Sequence, residues 1–193
     1  MNYTFFALIS RMRYIGRWGL MRSTVPENIQ EHSHMVAVLA HALAIIRNEK
    51  FGGNADANKC AVYALYHDAP EILTGDLPTP VKYYNPEIKE AYKAVEAFSA
   101  DKLASLLPPE FREIYSPLLR EEADEQTHTL VKAADKLAAY IKCVEELSAG
   151  NEEYRQAEKQ IRHALEQSDL PEVGYFMEHF MPAFGLTLDE LQT

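Results

Sequence analysis

Cysteine is scarce in this chain. There are two in 193 residues, Cys60 and Cys143, and no CxxC pair. That excludes a disulfide framework and a zinc ribbon; both lie in apolar helical stretches and are expected as reduced, buried thiols. Long apolar runs are missing too: none reaches the roughly 20 residues that cross a bilayer. The start, Met1 to Phe6, has no basic opening, long apolar stretch or small-residue cleavage site, so a cytoplasmic protein with no membrane partner is expected. Positive charge is in deficit: 19 Lys and Arg against 29 Asp and Glu give a formal net charge of −10. Such a surface repels a phosphodiester backbone, and nucleic acid is not expected as a partner. A local basic cluster, Arg11, Arg13, Arg17 and Arg22, runs against this balance. It suits a small anion, or is a solvated helix face. There is one tryptophan, Trp18, and no stretch alternates long enough to be a useful strand.

What is present is helical period. Phe5, Leu8, Ile9, Met12 and Ile15 mark one face, closed by Gly16. After Pro26, Ile29, His32, Val36, Leu39, Leu43 and Ile46 form a stripe, with Gly52 and Gly53 ending the helix. His32 thus takes an apolar position; Ser33, His34 and His41 point elsewhere. A third helix runs from about Ala55 into His67-Asp68, where Pro70 should perturb or end it. A turn-rich, proline-stiffened stretch, Thr74 to Pro80, comes next and reads as a pocket wall or a connector. A helix over Pro86 to Leu107 should bury Tyr92, Val95, Phe98 and Leu103. Phe111 to Leu119 is a short helix or loop, and Glu121, Glu122, Asp124 and Glu125 read as solvated surface. In the helix from Thr127 to Leu147, Asp135 sits inside the apolar stripe of Leu130, Val131, Ala134, Leu137, Ala138, Ile141 and Val144. A charged helix spans Glu152 to Gln167. The last segment, with Tyr175, Phe176, Met177, Phe180, Met181 and Phe184, reads as core or dimer contact. The expected fold is all-α, a single compact bundle of about seven or more helices over residues 1–193.

His67 and Asp68 stand side by side, with Glu71 one helical turn on, so all three can address one point. The bland alternative is an exposed dipeptide. His32 and Asp135, each on a core face of another helix, supply what the pair needs. Two imidazoles and two carboxylates suit one divalent transition ion such as Mn²⁺, Co²⁺, Fe²⁺, Zn²⁺ or Ni²⁺. A buried aspartate with no partner would be forced neutral or cost several kcal/mol.

The order His32, His67-Asp68, Asp135 resembles that of HD-domain metal-dependent phosphohydrolases. Arg17-Trp18, Glu31-His32-Ser33, Tyr66 to Ala69, Glu71, Leu73 to Lys82 and Val131 to Asp135 resemble the YfbR-type bacterial 5'-deoxynucleotidases, over nearly the whole chain. One departure is Pro70, where a small polar residue is expected. The resemblance implies an HD-type helical domain that hydrolyses deoxyribonucleoside 5'-monophosphates to deoxynucleoside and phosphate. His32, His67, Asp68 and Asp135 would hold the metal, cobalt or manganese being suitable. Arg17 would bind the phosphate, Glu71 and then Asp76 would be the catalytic carboxylates, and Trp18 would lie against the sugar and exclude a 2'-hydroxyl. Leu77, Pro78 and Thr79, with Asp68, Asp76 and Asp135, would complete the substrate pocket. A homodimer is implied as well. The alternatives are a deoxynucleoside triphosphate triphosphohydrolase or guanosine tetraphosphate hydrolase of the same superfamily, or a bundle that binds a nucleotide without turnover.

Overall fold

The computed structural model describes residues 2–82 and 84–192, with the side chains of Thr79 and Pro80 outside that description. Helices dominate: α1 (Phe5–Ile9), α2 (Ile29–Phe51), α3 (Ala57–Tyr66), α4 (Glu71–Thr74), α5 (Thr79–Lys82), α6 (Pro86–Ala104), α7 (Pro109–Leu119), α8 (Glu125–Ser148), α9 (Arg155–Glu166) and α10 (Pro171–His179), with short 3₁₀ turns between and after them. Among the described residues the one extended pairing is an isolated antiparallel bridge between Gly16 and Asn28. No described helix is long and apolar enough to cross a membrane.

Side-chain caps set the starts of the main helices. Asn28 accepts from the backbone N–H groups of Gln30 and Glu31, Asp56 from Lys59, Asn85 from Ile88 and Asp124 from Thr127. Each carboxylate or amide oxygen satisfies a donor that has no partner within its own helix. At the other end of α2, Gly52 takes a left-handed φ of 68°, a conformation that favours glycine.

The α2 stripe is buried as expected, with Ile29, His32, Val36, Leu39, Leu43 and Ile46 all inside. It packs against the buried stripe of α8, and α3 lies across both. Two apolar clusters result. The larger joins α2, α3, α8, Leu165, α10 and Met181. The smaller gathers Phe5, Met12, Ile29, Ala69, Leu103, Leu107 and Leu119. The metal-capable residues fall where these clusters meet. His32 lies on α2 between Ile29 of the smaller cluster and Val36 of the larger, and His67-Asp68 lies between Ala64 and Ala69, which divide the same way.

Two local expectations change and two gain detail. The first helix breaks at Ser10, whose hydroxyl donates to the Ala7 carbonyl at 2.8 Å; a 3₁₀ turn then runs to Tyr14. On α6, Val95 and Phe98 are exposed and Tyr92 only partly buried; the buried face is Ser99, Ala100, Leu103 and Ala104. Only the C-terminal end of α6 lies against the smaller cluster, while its earlier turns wall a cleft. The acidic run after α7 is paired: Glu121 meets Lys132 at 2.7 Å, Glu122 meets Arg120 at 3.7 Å, and Asp124 caps α8 and meets Lys59 at 2.7 Å. The C-terminal aromatic segment is mainly core, with Phe176 and Met181 buried and Tyr175, Met177 and Phe184 packed on them; Phe180 remains exposed. Both cysteines are free and buried, as expected.

Candidate metal centre and phosphate site

α3 ends at Tyr66, so His67, Asp68, Ala69 and Pro70 form a turn, and Glu71 opens α4. The helix running towards His67-Asp68 thus ends close to Pro70, as expected, and Glu71 is reached through a turn rather than along one continuous helix. Proline removes a backbone donor and clashes with the preceding turn, and the chain tightens instead through i to i+3 bonds: Ala69 N–H to Tyr66 O and Glu71 N–H to Asp68 O, each 3.0 Å. This bend points His67 inward and leaves Asp68 and Glu71 facing the same cleft.

The four expected ligands do come together. His32 Nε2 lies 2.9 Å from Asp135 Oδ1 and 3.7 Å from Asp68 Oδ2, and His67 Nε2 lies 3.2 Å from Asp68 Oδ1. His32, His67 and Asp135 each offer one ligand atom within 4.8 Å of the others. The His67 Nδ1–H donates to the Ala64 carbonyl at 2.7 Å, which leaves its buried Nε2 lone pair aimed at the cluster with no hydrogen-bond partner. A buried imidazole nitrogen with an idle lone pair, beside two carboxylates, fits a divalent ion. Asp135 is less buried than its place in the α8 stripe suggested, because its side chain looks into the cleft. Burial opposes its charge, but the His32 hydrogen bond and the nearby His67, His32 and Arg17 hold the carboxyl below its usual range.

Arg17 reaches this cluster from the loop between the first 3₁₀ turn and α2. Its Nη1 donates to Asp68 Oδ2 at 3.4 Å and its Nε to Glu27 Oε2 at 3.1 Å. Burial works against the guanidinium charge, but Asp68 and Glu27 outweigh it and raise the pKa further. The rest of the basic cluster disperses: Arg11 and Arg13 are exposed, and the exposed Arg22 pairs with Glu153 at 2.9 Å. Trp18 is half-buried, its ring centroid 5.2 Å from that of Tyr154, and its indole N–H donates to Glu27 Oε2 at 2.9 Å.

Glu71 is buried, with Oε2 lacking a hydrogen-bond partner. Burial first, then the charges of Asp68 and Asp76, push its carboxyl up to about 9, against the opposing pull of Lys82 and Arg17. Asp76 is raised for the same leading reason, burial, against the pull of Arg17. Two carboxyls with raised pKa beside a ligand cluster are suited to moving protons. They line, with Arg17, Trp18, Leu77 and Pro78, a cleft of about 1600 Å³. Thr79, expected in the same wall, has its side chain outside the described residues.

Several neighbours have no site role in the sequence reading, although Lys82 and Lys132 lie in its family-like motifs. Lys82, on the far wall, pairs with Glu96 at 2.7 Å over the Tyr92 ring. Lys132 lines the same cleft one helical turn before Asp135. Glu27 meets the Arg17 and Trp18 side chains, and Glu146 on α8 fastens the loop through the Thr24 N–H, pairings which no local spacing reveals.

A family model described as 5'-deoxynucleotidase YfbR-like matches residues 4–184. A 5'-deoxynucleotidase of Vibrio parahaemolyticus is 53% identical over 188 residues, covering 97% of this chain and 97% of that protein. The 5'-deoxynucleotidase YfbR of an Escherichia coli strain is 52% identical over 188 residues, covering 97% and 94%. An HD-domain phosphohydrolase structure from Listeria innocua superposes with a TM-score of 0.83 at 23% identity, covering 100% of this chain and 94% of that one. A cyanophage S-2L HD phosphohydrolase, bound to dA and one catalytic Zn²⁺, gives a TM-score of 0.64 at 26% identity, covering 97% of this chain and 100% of that one. With ligand cluster, all-helical architecture and relatives in agreement, the chain belongs to the YfbR-like 5'-deoxynucleotidase family, built on the HD-domain phosphohydrolase fold.

Proposed function

We propose that this protein, acting as one domain, is a cytoplasmic, metal-dependent phosphomonoesterase that hydrolyses deoxyribonucleoside 5'-monophosphates and discriminates against ribonucleotides. The observation that carries the reading is the convergence of His32, His67, Asp68 and Asp135 with the Arg17 guanidinium seated on Asp68. In this reading those four side chains hold one divalent transition ion, cobalt and manganese being candidates alongside zinc. When bound, the ion supplies Lewis-acid polarisation of the phosphoryl group.

The remaining steps belong to the chain's own residues. With Nε occupied by Glu27, Arg17 presents its Nη face to the phosphate oxygens, a planar fork matched to their spacing. In this reading Glu71 takes a proton from the attacking water in its ionised form, the minor form near neutrality while burial, Asp68 and Asp76 hold its carboxyl up at about 9; the positive charge of a cation held beside it would favour that form. Asp76, on the loop after α4, is the other carboxyl of the cleft that burial raises, and it assists at the leaving 5'-oxygen. Asp68 and Asp135 orient the phosphate end, while Leu77, Pro78 and Thr79 enclose the nucleoside. Trp18 closes the sugar side. A 2'-hydroxyl against that indole would find no partner, at a cost of about 1–3 kcal/mol.

Two copies associate in this reading. The support is exposed Val38 and Ile45 on α2 beside exposed Val62 and Leu65 on α3, rather than the largely buried C-terminal aromatics. Sedimentation of the parent and of Val38→Glu checks it; a parent that sediments as a monomer removes the dimer.

The enzymatic test is phosphate release from dAMP, AMP and dATP with cobalt, manganese or zinc added singly. Phosphate from dAMP, and much less from AMP, is expected. Triphosphate released from dATP points to a triphosphohydrolase, and binding without release to a non-catalytic bundle; either overturns the proposal.

A further inference from the structure

We infer that Glu27 is a positioning residue: one of its carboxylate oxygens sets both the Arg17 fork and the Trp18 wall, and so couples phosphate alignment to the choice of deoxyribose over ribose. The inference rests on the function proposed above and names a residue that controls its selectivity.

The geometry is specific. Glu27 Oε2 accepts from Arg17 Nε at 3.1 Å and from the Trp18 indole N–H at 2.9 Å. The backbone holds this register: the Arg17 N–H donates to the Glu27 carbonyl at 2.9 Å, the Ile29 N–H to the Ile15 carbonyl at 3.0 Å, and Gly16 bridges Asn28 between them. Adjacent side chains on an extended chain point to opposite faces. Arg17 and Trp18 instead reach the same oxygen, and Trp18 does so at φ +57°. A bulky residue occupies that region only where its surroundings impose it, at a cost of about 1–3 kcal/mol. Here the surroundings are the Glu27 hydrogen bond on the indole edge and the Tyr154 ring against it.

Glu27 is not what fastens the loop. Glu146 accepts from the backbone N–H groups of Thr24 and Val25, Tyr154 meets the Ser23 hydroxyl at 2.5 Å, and Asn151 donates to the Arg22 carbonyl at 2.6 Å. The Glu27 side chain is mostly buried and its bonds go to the two residues that face the substrate. By occupying Nε it also decides which edge of the guanidinium remains for Asp68 and for phosphate.

The test compares Glu27→Leu and Glu27→Gln with the parent, measuring kcat and KM on dAMP and AMP with one metal, and the emission and anisotropy of Trp18, the only tryptophan. Circular dichroism checks the fold. In Glu27→Leu the dAMP-to-AMP ratio of kcat/KM falls at least about tenfold, and Trp18 emission shifts red with lower anisotropy. A purely structural role would lower both substrates in proportion and leave the ratio alone. Glu27→Gln keeps an oxygen for the indole, so ratio and emission hold, but the lost charge on Arg17 raises the dAMP KM. A folded Glu27→Leu protein with its ratio within about twofold of the parent and unchanged Trp18 emission overturns the inference. If Glu27→Leu does not fold, Glu27→Gln decides, and an unchanged dAMP KM overturns it. A parent that hydrolyses AMP and dAMP equally defeats the proposed selectivity itself; the Trp18 emission of the variants still decides whether Glu27 holds the indole.

Discussion

Two loops wall the cleft, and they are built differently. The first, between the opening 3₁₀ turn and α2, carries Arg17 and Trp18. The second, after α4, carries Asp76, Leu77 and Pro78. The first is anchored from a distance. Glu146, almost fully buried on α8, accepts from Thr24 N–H at 2.8 Å, Thr24 Oγ1 at 2.8 Å, Val25 N–H at 3.2 Å and Asn151 Nδ2 at 2.8 Å, and is paired with Lys142, which also donates to the Val25 carbonyl. The second is shaped closer to home. Thr74 Oγ1 donates to the Gly75 carbonyl at 2.9 Å, Gly75 takes φ +74°, Pro78 restricts the backbone beyond Leu77, and Lys82, in α5, ties the far end to Glu96 on α6. A short loop set between a glycine turn and a proline carries its stiffness in its own residues. A loop rich in ordinary residues can be held as firmly, but by buried charge elsewhere in the chain.

The largest effect should come from the floor the two loops share. Glu71→Gln is expected to lower kcat on dAMP by about 10²–10⁴-fold while metal binding, read by titration calorimetry, stays near the parent's. Full activity in that variant would remove Glu71 from catalysis. Next is the anchor of the first loop. Glu146→Ala leaves Lys142 buried without its carboxylate and should lower unfolding free energy on the order of 3 kcal/mol, measured by urea denaturation. An equal loss from Lys82→Met would erase the contrast between the loops.

The same anchor sets a pH dependence. Burial alone would raise the Glu146 pKa, but bonds from Lys142, Thr24 and Asn151 outweigh it and hold the carboxyl below its ordinary range. A folded-state pKa below the unfolded one means the stabilisation is complete above the unfolded value, about 4.3, and is lost as pH falls through the folded value. Melting temperature from pH 6 down to pH 3 should therefore fall more steeply for the parent than for Glu146→Gln; matching slopes would show that Glu146 titrates normally. The smallest effect belongs to the second loop. Lys82 and Glu96 are each partly exposed, so Lys82→Met should cost no more than about 1 kcal/mol by the same urea measurement.

Much of the site was legible in the linear chain. His32 reads as a ligand because it interrupts an apolar stripe, and Asp135 because it interrupts another; both interruptions face the centre. His67-Asp68 is legible because adjacent polar residues cannot both serve one core, so a common target must explain them. What failed was local. Val95 and Phe98 keep helical period yet lie exposed, since period shows only which residues share a face and not whether anything covers that face. The break at His67 to Pro70, by contrast, was legible from Pro70, because proline carries its own signal for ending a helix.

By itself the sequence determined the helical period, the family and the polar residues that interrupt the apolar stripes, all of which depend on residue type and short spacing. Tertiary structure alone decided which donors and charges each carboxylate meets. Glu27 meets Arg17 and Trp18 ten and nine residues away, and Glu146 meets Thr24 across 122. A carboxylate's pKa and role come from the donors and charges that folding brings to it, and those partners recur at no fixed interval along the chain.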